Sequence, residues 1–331
     1  MKNTILKLIA TILFATAVAA PARAQESPEA WPTRPITLVV TFAAGGPVDT
    51  VARIMSAYVG DILGQQIVVE NAGGAGGLTG TARAAKAAPD GYTVLLSGSA
   101  IMTQIPNFRK HMPYDPVADF EHVALFADSA RVLIARKDFP ANNFKEFIAY
   151  AKAHQSSLRY GSAGAGSGSH TCALLLDGAM GTKITHVPYR GAGPAMQDLI
   201  SGRIDYMAEQ ISTATPQIKA GTVKAFATLG LDRGPGLDEL PTAEEQGLKG
   251  LDCGAWSGFD LPKGTPQAIV RKLAKATNQA LENPALVERF RSIGVVVPAA
   301  NRRSTEYFTD FVKSEIERWK APIKASGVTL D

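Results

Sequence analysis

Ile36-Thr37-Leu38-Val39-Val40 runs into Ala43-Ala44-Gly45-Gly46-Pro47, and Val51, Ile54, Met55, Tyr58, Val59, Ile62 and Leu63 then recur at helical spacing up to Gly64. A β-branched run, a glycine turn and an amphipathic stretch that opens on proline and closes on glycine predict strand, turn and helix. The same unit follows at once. Ile67-Val68-Val69-Glu70 leads into Asn71-Ala72-Gly73-Gly74-Ala75-Gly76-Gly77 and an alanine-rich helix over 79–88. After the turn Pro89-Asp90-Gly91, Tyr92-Thr93-Val94-Leu95-Leu96 predicts a third strand ending in Ser97-Gly98-Ser99.

Further along, Leu158-Arg159-Tyr160 enters the run Gly161-Ser162-Ala163-Gly164-Ala165-Gly166-Ser167-Gly168-Ser169, with a helix behind it through Leu174, Leu175 and Leu176. Residues 184–189 predict a strand, Arg190-Gly191-Ala192-Gly193-Pro194 a turn and 195–200 a helix, with short strands at 204–208 and 223–229. Two sets of alternating strands and helices indicate two α/β lobes, each a mostly parallel sheet flanked by helices. From Thr265-Pro266 onward the chain is mostly helical, with 284–293 and 304–320 as further helices and Phe308, Val312, Ile316 and Trp319 on one face. Having no strands of their own, these helices are expected to pack back on the first lobe. The chain then crosses between lobes twice, near 124–135 and 253–261, giving lobe 1 as 25–125 with 253–331 and lobe 2 as 126–252.

The chain has 331 residues, 46% of them hydrophobic and 19% charged, a composition that folds and has room for two cores. Residues 1–24 have a basic start at Lys2 and Lys7, an apolar run over 8–20 and an Ala22-Arg23-Ala24 cleavage pattern, the marks of a secretory signal peptide. That run is shorter than the roughly 20 residues of a spanning helix. Its removal takes three of the 34 basic residues and no acid, leaving 31 against 30 acidic. A nearly neutral mature chain without a dense basic run has no electrostatic footprint for nucleic acid or an anionic membrane. In the exported compartment Cys172 and Cys253 are free to pair; two free, buried thiols are the favoured reading.

In open parallel sheets ligands bind beyond the carboxyl ends of the strands, where all these glycine loops lie. Unpaired N–H groups at helix starts favour an anion there, and glycine lets the backbone approach it. Competing chemistries lack their patterns. Thr79 occupies the third glycine of G-x-G-x-x-G, and no P-loop lysine follows any run. Tyr160 and Ala165 stand where a nucleophile elbow needs glycine. The five histidines are scattered without ligand spacing, so no metal or other cofactor is expected, and His170 and Cys172 face different ways on a helix. Of the charged candidates, Asp49 is read first as a helix-start cap, Asp205 as a strand-end contact facing the cleft, and Arg190 equally as a carboxylate partner or a solvated arginine.

With these residues laid out, the chain resembles the Bug or TctC family of solute-binding proteins of tripartite tricarboxylate transporters. The resemblance rests on Phe42-Ala43-Ala44-Gly45-Gly46-Pro47-Val48-Asp49, Glu70-Asn71 with Gly74-Ala75-Gly76-Gly77, Asp90-Gly91-Tyr92-Thr93 and the 160–167 run. Val187-Pro188-Tyr189-Arg190-Gly191, Gly202-Arg203-Ile204-Asp205, Pro241-Thr242-Ala243-Glu244-Glu245 and Pro262-Lys263-Gly264-Thr265-Pro266 extend it. Cys253 lies outside the family pattern, and Gly73 replaces a usual proline.

The resemblance implies a monomeric periplasmic binding protein of the type II architecture, two lobes joined by a two-strand hinge. It implies a small organic carboxylate held by Phe42, Ala44, Gly46 and Asp49 of the first lobe, with Ser162, Ala163, Gly166, Ser167, Tyr189, Gly191 and Asp205 closing from the second. Ser99 and His170 join the candidates from the loop reading itself, Ser99 at the end of the third strand's small polar run and His170 as a residue that caps or lines its loop. Partners would be the permease subunits of a tripartite transporter or a membrane sensor. No enzymatic activity is expected; a periplasmic enzyme acting on a carboxylic acid through Cys172 or Asp205 is the competing class.

Overall fold

A computed structural model describes residues 29–330, so the expected signal peptide and its cleavage point lie outside the described residues. The chain divides into a short N-terminal unit, Met1–Trp31, and a body, Pro32–Asp331. Within the body, β1 (Ile36–Val40), β2 (Ile67–Asn71), β3 (Thr93–Gly98), β4 (Phe120–Ser129), β10 (Ala255–Pro262) and β11 (Val295–Val296) form a six-stranded sheet in the order β11-β4-β10-β3-β1-β2. The second sheet has five strands in the order β7-β6-β8-β5-β9: β5 (Arg131–Arg136), β6 (Arg159–Ser162), β7 (Thr185–Pro188), β8 (Tyr206–Gln210) and β9 (Val223–Thr228). Both sheets are flanked by helices, the two-lobed α/β architecture expected from the strand–glycine–helix repeats.

The strand that opens the fold pairs in parallel with β2 and β3 on either side, so all three deliver their following loops to the same edge. In the second lobe β6 pairs in parallel with β7 and β8 to the same effect. The strands that complete the sheets run the other way: β10 is antiparallel to β3, and β5 to β8. Side chains alternate across β5, with Leu133 and Ala135 in one core cluster and Val132 and Ile134 in another. Burial on both faces is why such strands read as continuous apolar runs.

The chain leaves the first sheet at Ser129 and enters the second at Arg131, then returns between Thr228 and Ala255. Ser129 and Ala255 are register partners, so the two crossings lie side by side as a two-stranded connection. The C-terminal region does contain a strand, since Val295–Val296 pairs with β4. Its last helix, Thr305–Ser326, packs Phe308 and Val312 into the first-lobe core. One face continues through Trp319 and Ile323, which meet Phe108 and also Leu174 and Leu175 of the second lobe.

The cysteines are paired. Cys172 and Cys253 form a disulfide with Cα atoms 5.5 Å apart, which corrects the expectation of free thiols. Sequence separation of 81 residues concealed the pairing; the fold seats both in one buried cluster with Tyr160, Leu176 and Tyr206. The bond ties the helix Gly168–Met180 to the segment that leads back to the first sheet. In the chain-entropy account, closing so long a loop stabilises the fold by about 4 kcal/mol. Urea unfolding of the Cys172→Ala/Cys253→Ala variant should show a loss of that order, and reductant should lower the midpoint of the native chain but not of the variant.

Candidate functional site

Five helical segments begin at one cavity between the sheets. Gly46, Pro47 and Val48 open the helix Pro47–Leu63, and Ser99 and Ala100 open the helical stretch that starts at Ala100–Gln104. From the second lobe come Ser167, Gly168 and Ser169 at Gly168–Met180, Ala192 at Ala192–Ile200, and Gln210 at Ile211–Lys219. First-turn N–H groups have no partner within their own helix, so their partial positive charges point into one space. That space gives about 50 Å³ to the centre of a water molecule, several times what one water needs, and suits a small organic anion.

The loops that carry these helix starts are held by side chains directed away from the cavity. Asp49 accepts the Gly45 N–H at 3.1 Å and a bidentate pair from Arg53 at 2.9 and 3.0 Å. Asn71 donates to Asp49 and to the Phe42 carbonyl, each at 3.0 Å. Burial pushes the Asp49 carboxyl up, and the hydrogen bonds from Arg53, Gly45 and Asn71 outweigh it, holding the group below the usual carboxylate range. In the second lobe Ser162 accepts from Gly164 N–H and lies 2.6 Å from His186 Nε2, and Ser169 accepts from Ala163 N–H. Ser167 caps its helix through His170 N–H, while the His170 ring accepts the Gly166 N–H on Nδ1 at 3.0 Å.

The accepting Nδ1 makes His170 a neutral imidazole with its proton on Nε2. Its ring stacks on His186 at 4.1 Å. Desolvation, with the neighbouring His186 adding to it, pushes His170 down to about 3, and desolvation pushes His186 down to about 4.

Across the cavity mouth the lobes meet backbone to backbone. Ala43 N–H donates to the Arg190 carbonyl at 3.3 Å. A Cβ at Gly76 would lie 2.2 Å from the Ala165 carbonyl oxygen, and one at Gly191 would lie 2.9 Å from Ala43 N. Gly76 has φ +69°, and its neighbour Ala75, at φ 48°, is the one non-glycine residue with positive φ among the described residues. Local strain therefore sits where the lobes touch.

Of the expected contact residues, Phe42, Gly46, Ser99, Ala163 and Ser167 line the cavity. Asp49, Ser162 and His170 shape the loops behind it, and Gly166 and Gly191 supply backbone to them. Ala44 is exposed, and the Tyr189 hydroxyl donates to Asp198 at 2.8 Å instead of reaching the cavity. Asp205 is misplaced by the sequence reading. The strand expected over 204–208 is Tyr206–Gln210, so Asp205 precedes it at the end away from the cavity, where it binds Arg136 and the Arg159 N–H. Arg190 is exposed, and its carbonyl makes the contact to the first lobe. Cys172 is spent in the disulfide and offers no nucleophile.

The two-residue shift of β8 puts Glu209 and Gln210 at the cavity in place of Asp205. Arg131, the first residue of β5, and Ala255, Trp256 and Ser257, the first three of β10, also line it. Because β5 and β10 run antiparallel to β8 and β3, their first residues lie at the same rim as the parallel strands' last ones. The strand-end rule applied to sequence looks only past the carboxyl ends and passes over these residues.

Two outcomes follow from this geometry. Gly76→Ala sets a methyl group against the Ala165 carbonyl and should weaken carboxylate binding at least about ten-fold by calorimetry, with both lobes still folded. Buried His170 and half-buried His186 make stability fall in acid. Above about pH 6.5 their contribution is complete; below it the unfolded chain takes up protons that the fold refuses until about pH 4 for His186 and 3 for His170. Each should cost roughly 1.4 kcal/mol per pH unit in that window, and denaturation of His170→Asn and His186→Gln between pH 7 and 5 should show shallower slopes than the parent.

A family model described as Tripartite tricarboxylate transporter family receptor matches residues 51–328. A UPF0065 protein of Agrobacterium vitis is 41% identical over 321 residues, 97% of this chain and 92% of the relative. Among solved structures, the periplasmic binding protein BugD superposes with a TM-score of 0.87 at 40% identity, covering 90% of this chain and 99% of that one. MatC of Rhodopseudomonas palustris, solved with bound malate, superposes with a TM-score of 0.86 at 39% identity, covering 88% of this chain and 100% of its own. With the glycine loops and helix starts arranged around one interlobar cavity, these matches place the chain in the Bug/TctC family of periplasmic solute-binding receptors.

Proposed function

We propose that this chain is a periplasmic receptor that captures a small organic carboxylate between its lobes and delivers it unaltered to the membrane permease of a tripartite transporter. The reading rests on one observation: five helical segments from two lobes begin at a single cavity, an arrangement of main-chain dipoles suited to an anion. MatC, with its bound malate, supports the choice of a carboxylate. The leader over 1–24 fits export to the periplasm, and among the described residues no helix is long and apolar enough to cross a membrane.

In this reading, residues 25–125 with 253–331 form one body and 126–252 the other, moving about the paired crossings at Ser129 and Ala255. The ligand favours the closed arrangement because only there do helix starts of both lobes reach it. The protein acts as a binder and not as an enzyme. Of its lining serines, Ser167 and Ser169 are engaged in the loop, and the buried His170 serves as an acceptor of a backbone N–H.

Thermal melting of the purified chain against mono-, di- and tricarboxylates, nicotinate-like aromatic acids and acidic amino acids tests the reading. A ligand at 100 times its Kd adds about 2.7 kcal/mol to stability and raises the melting temperature by several degrees. A panel in which no acid shifts the melting temperature would overturn it.

A further inference from the structure

Two charged side chains in the cavity wall have no part in shaping the loops. Arg131 is 4% exposed, and its guanidinium lies against Gly168, where an added Cβ would stand 2.0 Å from Nη2. Among the described residues it forms no ion pair within 4.0 Å, and no hydrogen bond engages its side chain. Glu209 is 1% exposed; Thr213 donates to its Oε1 at 2.8 Å, and its Oε2 is buried without a partner. The Thr41 hydroxyl, in the facing wall of the first lobe, is likewise buried and unpartnered.

A buried guanidinium that makes neither an ion pair nor a hydrogen bond is costly to hold, because little offsets its desolvation. Burial pushes Arg131 down to about 10, with the charge of Glu209 opposing the shift, so it is a cation at neutral pH. Burial also raises the Glu209 carboxyl, with Thr213 and the charge of Arg131 opposing the shift. The helix starts already satisfy one carboxylate through N–H groups. Arg131 adds a whole charge and a planar fork that fits a second one.

We propose that Arg131 takes the second carboxylate of the ligand, so that this receptor selects dicarboxylates over monocarboxylates of the same chain length. The inference rests on the receptor reading and adds to it a specificity-determining residue. Arg131 holds this position because β5 starts opposite the end of β8, with Arg131 and Gln210 as register partners. A monocarboxylate would leave the guanidinium facing an apolar chain, the arrangement that rejects an analogue lacking one polar group.

Calorimetry with succinate and butyrate, which share a four-carbon chain and differ in one carboxylate, tests the assignment. The native chain should favour succinate at least about thirty-fold, Arg131→Gln should bring the ratio below about three, and Arg131→Lys should fall between them. A ratio near one in the native chain, or Arg131→Gln weakening both acids equally, would overturn the assignment and leave the receptor reading intact. If four-carbon acids do not fit, glutarate against valerate reads the same ratio. If none of these acids binds while another acid of the melting panel does, the assignment fails and the receptor reading stands; if no acid of the panel binds, both fail. Should Arg131→Gln not fold, the native ratio together with that of Arg131→Lys decides.

Discussion

Everything at the site depends on main chain meeting main chain across the space between the two sheets. Helix dipoles act only within about a turn of the helix end, so segments from separate lobes must bring their first residues almost into contact to act on one anion. Side chains would hold them apart. Gly76 against Ala165, Gly191 against Ala43 and the Ala43–Arg190 hydrogen bond are the points where that approach is made. The glycine runs are therefore a steric requirement of that approach, and the positive φ of Ala75 shows that local strain accompanies it.

Such loops need support from behind, because glycine-rich backbone has many conformations to lose. The support is polar. Asp49, Arg53 and Asn71 form one connected network under the 42–46 loop, and Ser162, Ser169, His170 and His186 form another under 163–168. Each spends its hydrogen bonds on a backbone group or on a neighbour that does, so these residues act as positioning groups. The disulfide adds a covalent tie between the helix that presents Gly168 and the segment leading into the strand that returns to the first lobe. The cavity thus rests on one frame of loops, and the charged side chains in its lining are Arg131 and Glu209.

Strand–glycine–helix units were legible along the chain because strand and helix periodicity, proline at helix starts and glycine past helix ends are local signals. The helix expected to close at Gly64 does so, with that glycine in the left-handed conformation at φ 69°. Parallel pairing of β1, β2 and β3 and of β6, β7 and β8 follows from the same alternation. Cavity positions on those loops, such as Gly46, Ser99 and Ser167, were therefore within reach of sequence reasoning. Strand ends were less certain: a two-residue shift of β8 exchanged Asp205 for Glu209 at the rim.

From sequence alone, then, come the two α/β repeats, the glycine loops that frame the cavity and the family resemblance, since each is written in short-range pattern. Tertiary structure alone decided which cysteines meet, how the last helix reaches Leu174 and Leu175, and that Arg131 lines the interlobar cavity. Those contacts join residues far apart in the chain through antiparallel strands and crossings. Their proximity is set by the summed packing of both sheets, and no local segment carries a signal of it.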